Sequence, residues 1–462
     1  MANKMKHIQT LILAALAGGL ASCNGVPKEA SHIDMLAPIF PDYNGVTIPC
    51  NMARPTFDMS EEAALSYCKF KIVEDKSDYE TLRYLVYGKR KDNGHWDLFN
   101  PVEIKVSPDS IDPYIAYRRI DPGFRIWNKM GIYQRDLSSY EEFSILTNDQ
   151  TDEGCMNCHS FHQYSPKLMM FHLRAEHPGT YVLKDGVVNK ISAVPANASA
   201  KLSKYKSLVY PSWHPTGRFI AFSVNDTQQS FHSTNLNRIE VFDHSSDVVV
   251  YDTETDALLL SPLLMSGDQF ETFPSFSPDG KSIYFCSADS VPVPDRYEDV
   301  HYSLCRIEFD PENKTFGNEV DTLYNARNEG GSVSFPRVSP DGRWLMFTKS
   351  SYGNFSIWHK DADLYMIDLT KDNTPVCLSD INSDDVDSYH SWSSNGRWVV
   401  FSSRRDDGLY TRPYFSHVDQ NGKFTKPFML PQKDAQYYYR MMQSYNIPEF
   451  ISGKVDLPYF IE

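Results

Sequence analysis

Beyond its first twenty residues the chain of 462 has no apolar run approaching the roughly 20 residues that a membrane-spanning helix needs. It has no surplus of positive charge either. With 45 Lys and Arg against 60 Asp and Glu, the net charge of −15 argues against a surface built for nucleic acid or anionic lipid. An acidic chain still attracts basic partners, but the charge does not name one. No Gly-x-Ser-x-Gly elbow and no appended α/β-hydrolase domain is present, which removes a peptidase of the α/β-hydrolase type, and no Gly-x-Gly-x-x-Gly opens a helix to hold a nucleotide. Cysteine is scarce, with 8 in the chain. Three of them sit in the motifs described below, and the odd remainder (Cys50, Cys68, Cys286, Cys305 and Cys377) makes no tidy disulfide framework. Cys286 with Cys305 and Cys50 with Cys68 are the pairings to look for; buried free thiols are the plainer expectation.

What is present begins with an export signal. Lys4 and Lys6 precede an apolar run from Ile8 to Leu20 that is too short to span a bilayer. The run ends at Leu20-Ala21-Ser22-Cys23, which resembles a bacterial lipobox, in whose chemistry Cys23 is acylated and becomes the mature N-terminus. The expected order is therefore a signal peptide (1–22), a polar tether (23–32) and a folded chain that meets the membrane only through its lipid. No acidic run follows Cys23, so a periplasm-facing anchor, placed at the outer membrane, is expected. Asn197-Ala198-Ser199 fits a glycosylation sequon but means nothing in a bacterium.

A repeat organises most of the rest. Tyr210 to Ser223, Phe273 to Cys286, Phe335 to Thr348 and Tyr389 to Ser402 align, each as a short strand, a turn ending in Gly217, Gly280, Gly342 or Gly396, and a second strand rich in aromatic and β-branched residues. The glycine supplies the positive φ that the tight turn requires. With two further strands per unit, this is the period of a four-stranded propeller blade. The 28 Tyr, 27 Phe and 28 Pro fit strands and turns better than long helices. The Ser-Pro-Asp-Gly turn resembles the TolB-type propeller repeat. That resemblance implies an all-β fold, and two degenerate units extend it to a six-bladed β-propeller over 111–432. One unit is Cys158 to Phe161 with Leu168 to Arg174, Gly179 to Lys184 and Val188 to Ser192. The other comprises Tyr114 to Arg119, Gly131 to Arg135 and Glu142 to Leu146. Residues 33–110, where 64–72, 82–89 and 102–106 alternate like strands, are expected to form a small β-sandwich-like region. Residues 433–462 are expected to pack on the ring or close it.

One motif carries chemistry. In Cys155-Met156-Asn157-Cys158-His159 the two thiols have the spacing to add across the vinyl groups of a haem, while the adjacent imidazole ligates iron from one face. Chance would produce such a pentad with a probability of roughly 0.5%, judged from composition alone. A zinc site would want a second ligand pair with similar spacing, and a redox Cys-x-x-Cys would want a βαβ context; neither is present. Haem c, covalently held, is thus the expected cofactor, with His159 as the proximal iron ligand. Distal candidates come from the loops between second and third strands: His232 first, from the long loop expected after Phe222, then His177, with His244 and His359 behind. Met169, Met170 and His172 fall on a strand and read as packing residues. Arg404 and Arg405 are candidates to bind haem propionates or another anion by bidentate hydrogen bonds, against the plainer reading of Arg–Asp pairs within a loop. Asp384, Asp385 and Asp387 have a spacing that suits calcium but more often marks a solvated loop.

Three functions compete: a haem protein for electron transfer or haem-linked sensing with an envelope or redox partner, a non-enzymatic envelope scaffold as the TolB resemblance implies, and a haem enzyme acting in the channel. Iron coordination separates them. The first is the leading expectation, and turnover is not expected.

Overall fold

The computed structural model describes residues 26–27, 29–122, 129–191 and 208–460. Cys23 and Asn197 lie outside them. The fold is all-β; the described α-helices are single turns at Ala63–Ser66, Ala326–Glu329 and Tyr437–Arg440. Among the described residues no helix is long and apolar enough to cross a membrane.

Six sheets have four strands each, all antiparallel. The first joins Glu142–Thr147, Met130–Asp136, Tyr114–Ile120 and, as its innermost strand, Ser444–Ile451 from the C-terminal end. The next five run in chain order, with innermost strands Met156–Phe161, Val209–Trp213, Gln269–Phe276, Ser332–Val338 and Asp387–Trp392. Each innermost strand packs on the next in this series, and Ser444–Ile451 packs on both Asp387–Trp392 and Met156–Phe161.

The repeat has a physical cause that recurs six times. In every innermost strand the pairing with the second strand slips, so that two residues face one. The first of each pair is Cys158, Tyr210, Phe273, Phe335, Tyr389 or Ile447, all held at φ between 49° and 54°. These are β-bulges in left-handed backbone, a conformation non-glycine residues adopt only when their surroundings impose it. The second residue is proline in four strands and His159 or His390 in the others. Proline suits the place because a bulged residue need not donate to the ladder. Opposite each bulge stands a buried aromatic on the second strand: Phe171, Phe222, Phe285, Phe347, Phe401 or Tyr117.

The four turn glycines have φ of 65° to 77°, as their type requires. Beside one of them, His214 Nε2 meets the Gly280 carbonyl at 3.1 Å and so ties the third sheet to the fourth. Ser402 Oγ donates to the Tyr445 carbonyl and joins the sixth sheet to the C-terminal strand.

Two expectations need correction. The segment after Phe222 is a long hairpin, not a loop: Phe219–Phe231 pairs with Ile239–Asp252 almost throughout, and the ladder continues through the polar run Asn225 to Ser230. Its tip reaches the fifth sheet, where Glu240 meets His359 at 2.9 Å and Asn237 Nδ2 donates to Tyr352 Oη. The N-terminal region is a six-stranded sheet with a separate two-stranded one, Ile39–Phe40 with Asp58–Met59, rather than a sandwich of two comparable sheets. It begins at Ala30–Leu36, which pairs in parallel with Trp96–Asn100. The inner face of the larger sheet needs no comparable second sheet because it buries Val86, Phe99 and Ile104 in one core with Trp398 and Phe415 of the sixth sheet.

Candidate functional site

The six bulged positions line one cavity of about 50 Å³, joined by His159, His390 and Arg337. The sequence motif thus lands where the repeat converges. Cys158 stands where other strands place Tyr, Phe or Ile, and His159 stands where four of them place proline.

Cys158 and His159 are buried, and both thiols of the motif are free. Burial pushes the Cys158 thiol up, against the pull of Arg174 and Arg118. Cys155 is half-buried and packs against the core between the first and second sheets, near Met156 and Phe171. Neither ring nitrogen of His159 has a hydrogen-bond partner; the Ile447 peptide group lies near without meeting hydrogen-bond geometry. Burial, reinforced by the positive charge of Arg118, lowers its pKa to about 3, so the imidazole is neutral. A neutral imidazole with an unused nitrogen beside two free thiols is a donor set of the kind a covalently attached haem requires. The enclosed space itself is of the order that holds a water or two.

His390 tempers that reading. It occupies the equivalent place in the sixth sheet, also buried, also without a partner on either ring nitrogen, and its pKa is likewise lowered by burial to about 3. No cysteine pair accompanies it. Arg337 also faces the cavity, and its Nη2 donates to Glu449 Oε1 at 3.3 Å. Burial raises the Glu449 carboxyl to about 7 even with Arg337 beside it.

The other sequence candidates are dispersed. His177 pairs with Asp152 at 2.7 Å and does not line the cavity. His232 is half-buried, its ring tilted 31° against Tyr297 at 5.7 Å, and lines a separate hollow of about 420 Å³ with Trp358 and the hairpin tip; its Nε2 is buried with no partner among the described residues. His244, exposed on the hairpin, meets Gln228, and His359 is engaged by Glu240. Met169 and Met170 are fully buried, and His172 meets Thr180 Oγ1 at 3.0 Å, as packing residues do. Arg405 is committed to structure: it pairs with buried Asp387 at 2.8 Å and donates to the Ile381 carbonyl. Asp387 also accepts from Ser383, and among the described residues no group of three or more His, Cys, Asp or Glu converges to hold a metal ion. Cys286 and Cys305 are buried free thiols, whereas Cys50, Cys68 and Cys377 are free and exposed.

Arg404 differs from its neighbour. It is 4% exposed, its guanidinium lies over Trp358 at 3.4 Å, and among the described residues it forms no ion pair. Sequence reasoning missed Trp358, Arg118 and the sixth bulge. The last had a signal: Ile447-Pro448-Glu449-Phe450 matches Phe273-Pro274-Ser275-Phe276 in all but its first and third residues.

No family model and no curated protein matches the chain. Among solved structures it is similar to the protein assigned as TolB in Agrobacterium tumefaciens, with 15% identity, a TM-score of 0.40, and 70% of this chain and 89% of that one covered. It is also similar to an oligogalacturonate lyase from Vibrio parahaemolyticus, with 12% identity, a TM-score of 0.35, and 77% and 98% covered. A third is prolyl oligopeptidase B from Galerina marginata, with 11% identity, a TM-score of 0.38, and 78% of this chain against 44% of that one. Likenesses this distant carry no argument about what the chain does.

Proposed function

We propose that this chain is a lipid-anchored envelope protein of TolB-like propeller form that carries one c-type haem on Cys155, Cys158 and His159, for electron transfer or haem-linked sensing. The six four-stranded sheets are its blades, and Ser444–Ile451 closes the ring by completing the first; the cyclic packing of innermost strands supports this. Cys23 holds the lipid, and the protein faces the periplasm from the outer membrane. The observation that carries the haem reading is the state of His159, buried and neutral with no hydrogen-bond partner on either ring nitrogen, directly after Cys158 and four residues after Cys155. Cys155 and Cys158 would hold the group and His159 would ligate its iron; when bound, the group supplies one-electron chemistry. His232, the first distal candidate by sequence, keeps a free buried nitrogen but lines a hollow separate from the His159 cavity, and His177 is engaged by Asp152.

A second reading has its own support. His390 shows that the bulge takes a histidine without any cysteine motif, so Cys158-His159-Ser160-Phe161 is also a copy of the structural repeat. On that reading the protein is an interaction scaffold for an envelope partner.

Mass spectrometry under denaturing conditions, on protein exported by a host competent in c-type haem maturation, separates the two. The haem reading expects a proteolytic peptide spanning 155–159 to carry the mass of one haem. Unmodified thiols on that peptide would leave the scaffold.

A further inference from the structure

Two arginines at this end of the molecule are buried without a counter-charge. Arg118 is 9% exposed and Arg404 is 4% exposed, and among the described residues neither forms an ion pair. Arg118 Nη1 donates to the Met156 carbonyl at 3.3 Å, which fixes the side chain beside the start of the second sheet's innermost strand. Its Nε, like that of Arg404, is buried with no partner. Asp385 and Asp407 lie within electrostatic reach of Arg404 but not within 4 Å, and burial still lowers its pKa to about 9. Outside the described residues the sequence has one acidic side chain, Glu462 at the C-terminal end.

Both guanidinium groups sit about the same bulged residues: Arg118 faces Asn446, beside Ile447, across the ladder, and Arg404 lies over Trp358, which packs in one cluster with Ile447 and Tyr389. Tyr389, one of the six bulged residues, feels the positive charges of Arg118 and Arg404 together, along with the Cys158 thiol. Tyr210, the next aromatic around the cavity, feels Arg174, which is exposed and unpaired. Asp243 is the acid nearest Tyr210, and it is already occupied by Asn225, Tyr302 and Asn354. Leaving a guanidinium buried and uncompensated is costly, and a protein of net charge −15 has no general need for it. The cost is recovered when an anion arrives, because hydrogen bonds to a charged acceptor are the strong ones.

We infer that Arg118 and Arg404 form, beside Tyr389, a binding site for a small oxyanion (a carboxylate, phosphate or sulfate group) next to the cavity lined by the bulged residues. Trp358 braces Arg404 from behind by lying flat against it. The site is independent of the haem reading, since neither arginine belongs to the cysteine motif. The anion comes either from a free ligand or from the carboxylates of an attached haem.

The test is a titration of inorganic phosphate, with sodium chloride at matched ionic strength as control, into protein made without haem in a host lacking its maturation machinery. The expected result is a saturable rise in Tm that chloride does not give, and calorimetric binding that weakens about ten- to a hundredfold in Arg404→Gln. Arg118→Gln provides the second arm if Arg404→Gln folds poorly, and is expected to lose affinity to a similar extent. No saturable binding in the parent, or unchanged affinity in both variants, would overturn the inference. If haem-loaded protein no longer takes phosphate while haem-free protein does, the attached group carries the anion; if both take it, the ligand is separate.

Discussion

His159 and His390 hold the same place in two different strands: each follows a residue in left-handed backbone, Cys158 at φ 54° and Tyr389 at φ 52°, and each is buried with neither ring nitrogen partnered. Only the first has cysteines beside it. The protein therefore contains its own control. His390→Ala is expected to leave haem content and the visible spectrum unchanged, whereas His159→Ala should lose the six-coordinate spectrum or the haem altogether. Equal effects of the two on haem content would reduce the motif to a copy of the repeat.

The same cavity makes an opposed pair of pH predictions. Burial lowers the pKa of His390 to about 3, so below about 6.5 the unfolded chain binds a proton that the fold refuses, and stability falls with pH by about 1.4 kcal/mol per unit. Burial raises Glu449 to about 7, so its contribution is full below its unfolded value of 4.5 and is lost as pH rises through 7. In denaturant titrations, His390→Gln should gain on the parent as pH falls from 6.5 to 4.5. Glu449→Gln should gain on the parent as pH rises from 4.5 to 7, apart from a constant offset left by Arg337. Trends of the same sign would contradict the assignment.

Two turn glycines with nearly equal backbone should respond differently to alanine. Gly342 (φ 77°) has nothing within 4 Å of an added Cβ, so Gly342→Ala meets only the left-handed backbone and should cost about 1–2 kcal/mol. At Gly280 (φ 73°) the added Cβ falls 2.2 Å from His214 Nε2. Gly280→Ala must displace that ring and break its hydrogen bond to the Gly280 carbonyl, which adds about 1–3 kcal/mol. Equilibrium denaturation compares them directly, and equal costs would mean the His214 link is dispensable.

Adjacent arginines should separate as cleanly. Arg405 serves the buried Asp387 carboxylate, so Arg405→Ala should destabilise by about 3 kcal/mol and leave haem content untouched. Arg404 has no carboxylate to abandon, so Arg404→Gln should leave the denaturation midpoint near that of the parent. A larger loss at Arg404 than at Arg405 would show that its burial is compensated by some contact other than an anion.

The blades were legible because each carries the same turn glycine and the same aromatic second strand. The innermost strand of the first sheet was not, because it lies more than 300 residues from its partners and its bulge bears Ile447 in place of an aromatic ring. The hairpin beyond Phe222 was missed for a different reason: it extends the third sheet past the length of its neighbours, and contacts of Asn237, Glu240 and Asp243 with residues of the fourth and fifth sheets hold it there. At the site, the motif was visible, but its coincidence with the bulge was not. Neither was the contrast between Arg404 and Arg405, which depends on what surrounds two identical side chains.

The most direct test of the central claim is an absorption spectrum, oxidised and reduced, of protein exported by a host competent in c-type haem maturation, with Cys155→Ala/Cys158→Ala prepared in parallel. The account predicts a sharp reduced α-band whose chromophore stays with the parent chain through acid–acetone extraction and is absent from the double variant. A parent protein that is folded, exported and colourless would contradict it.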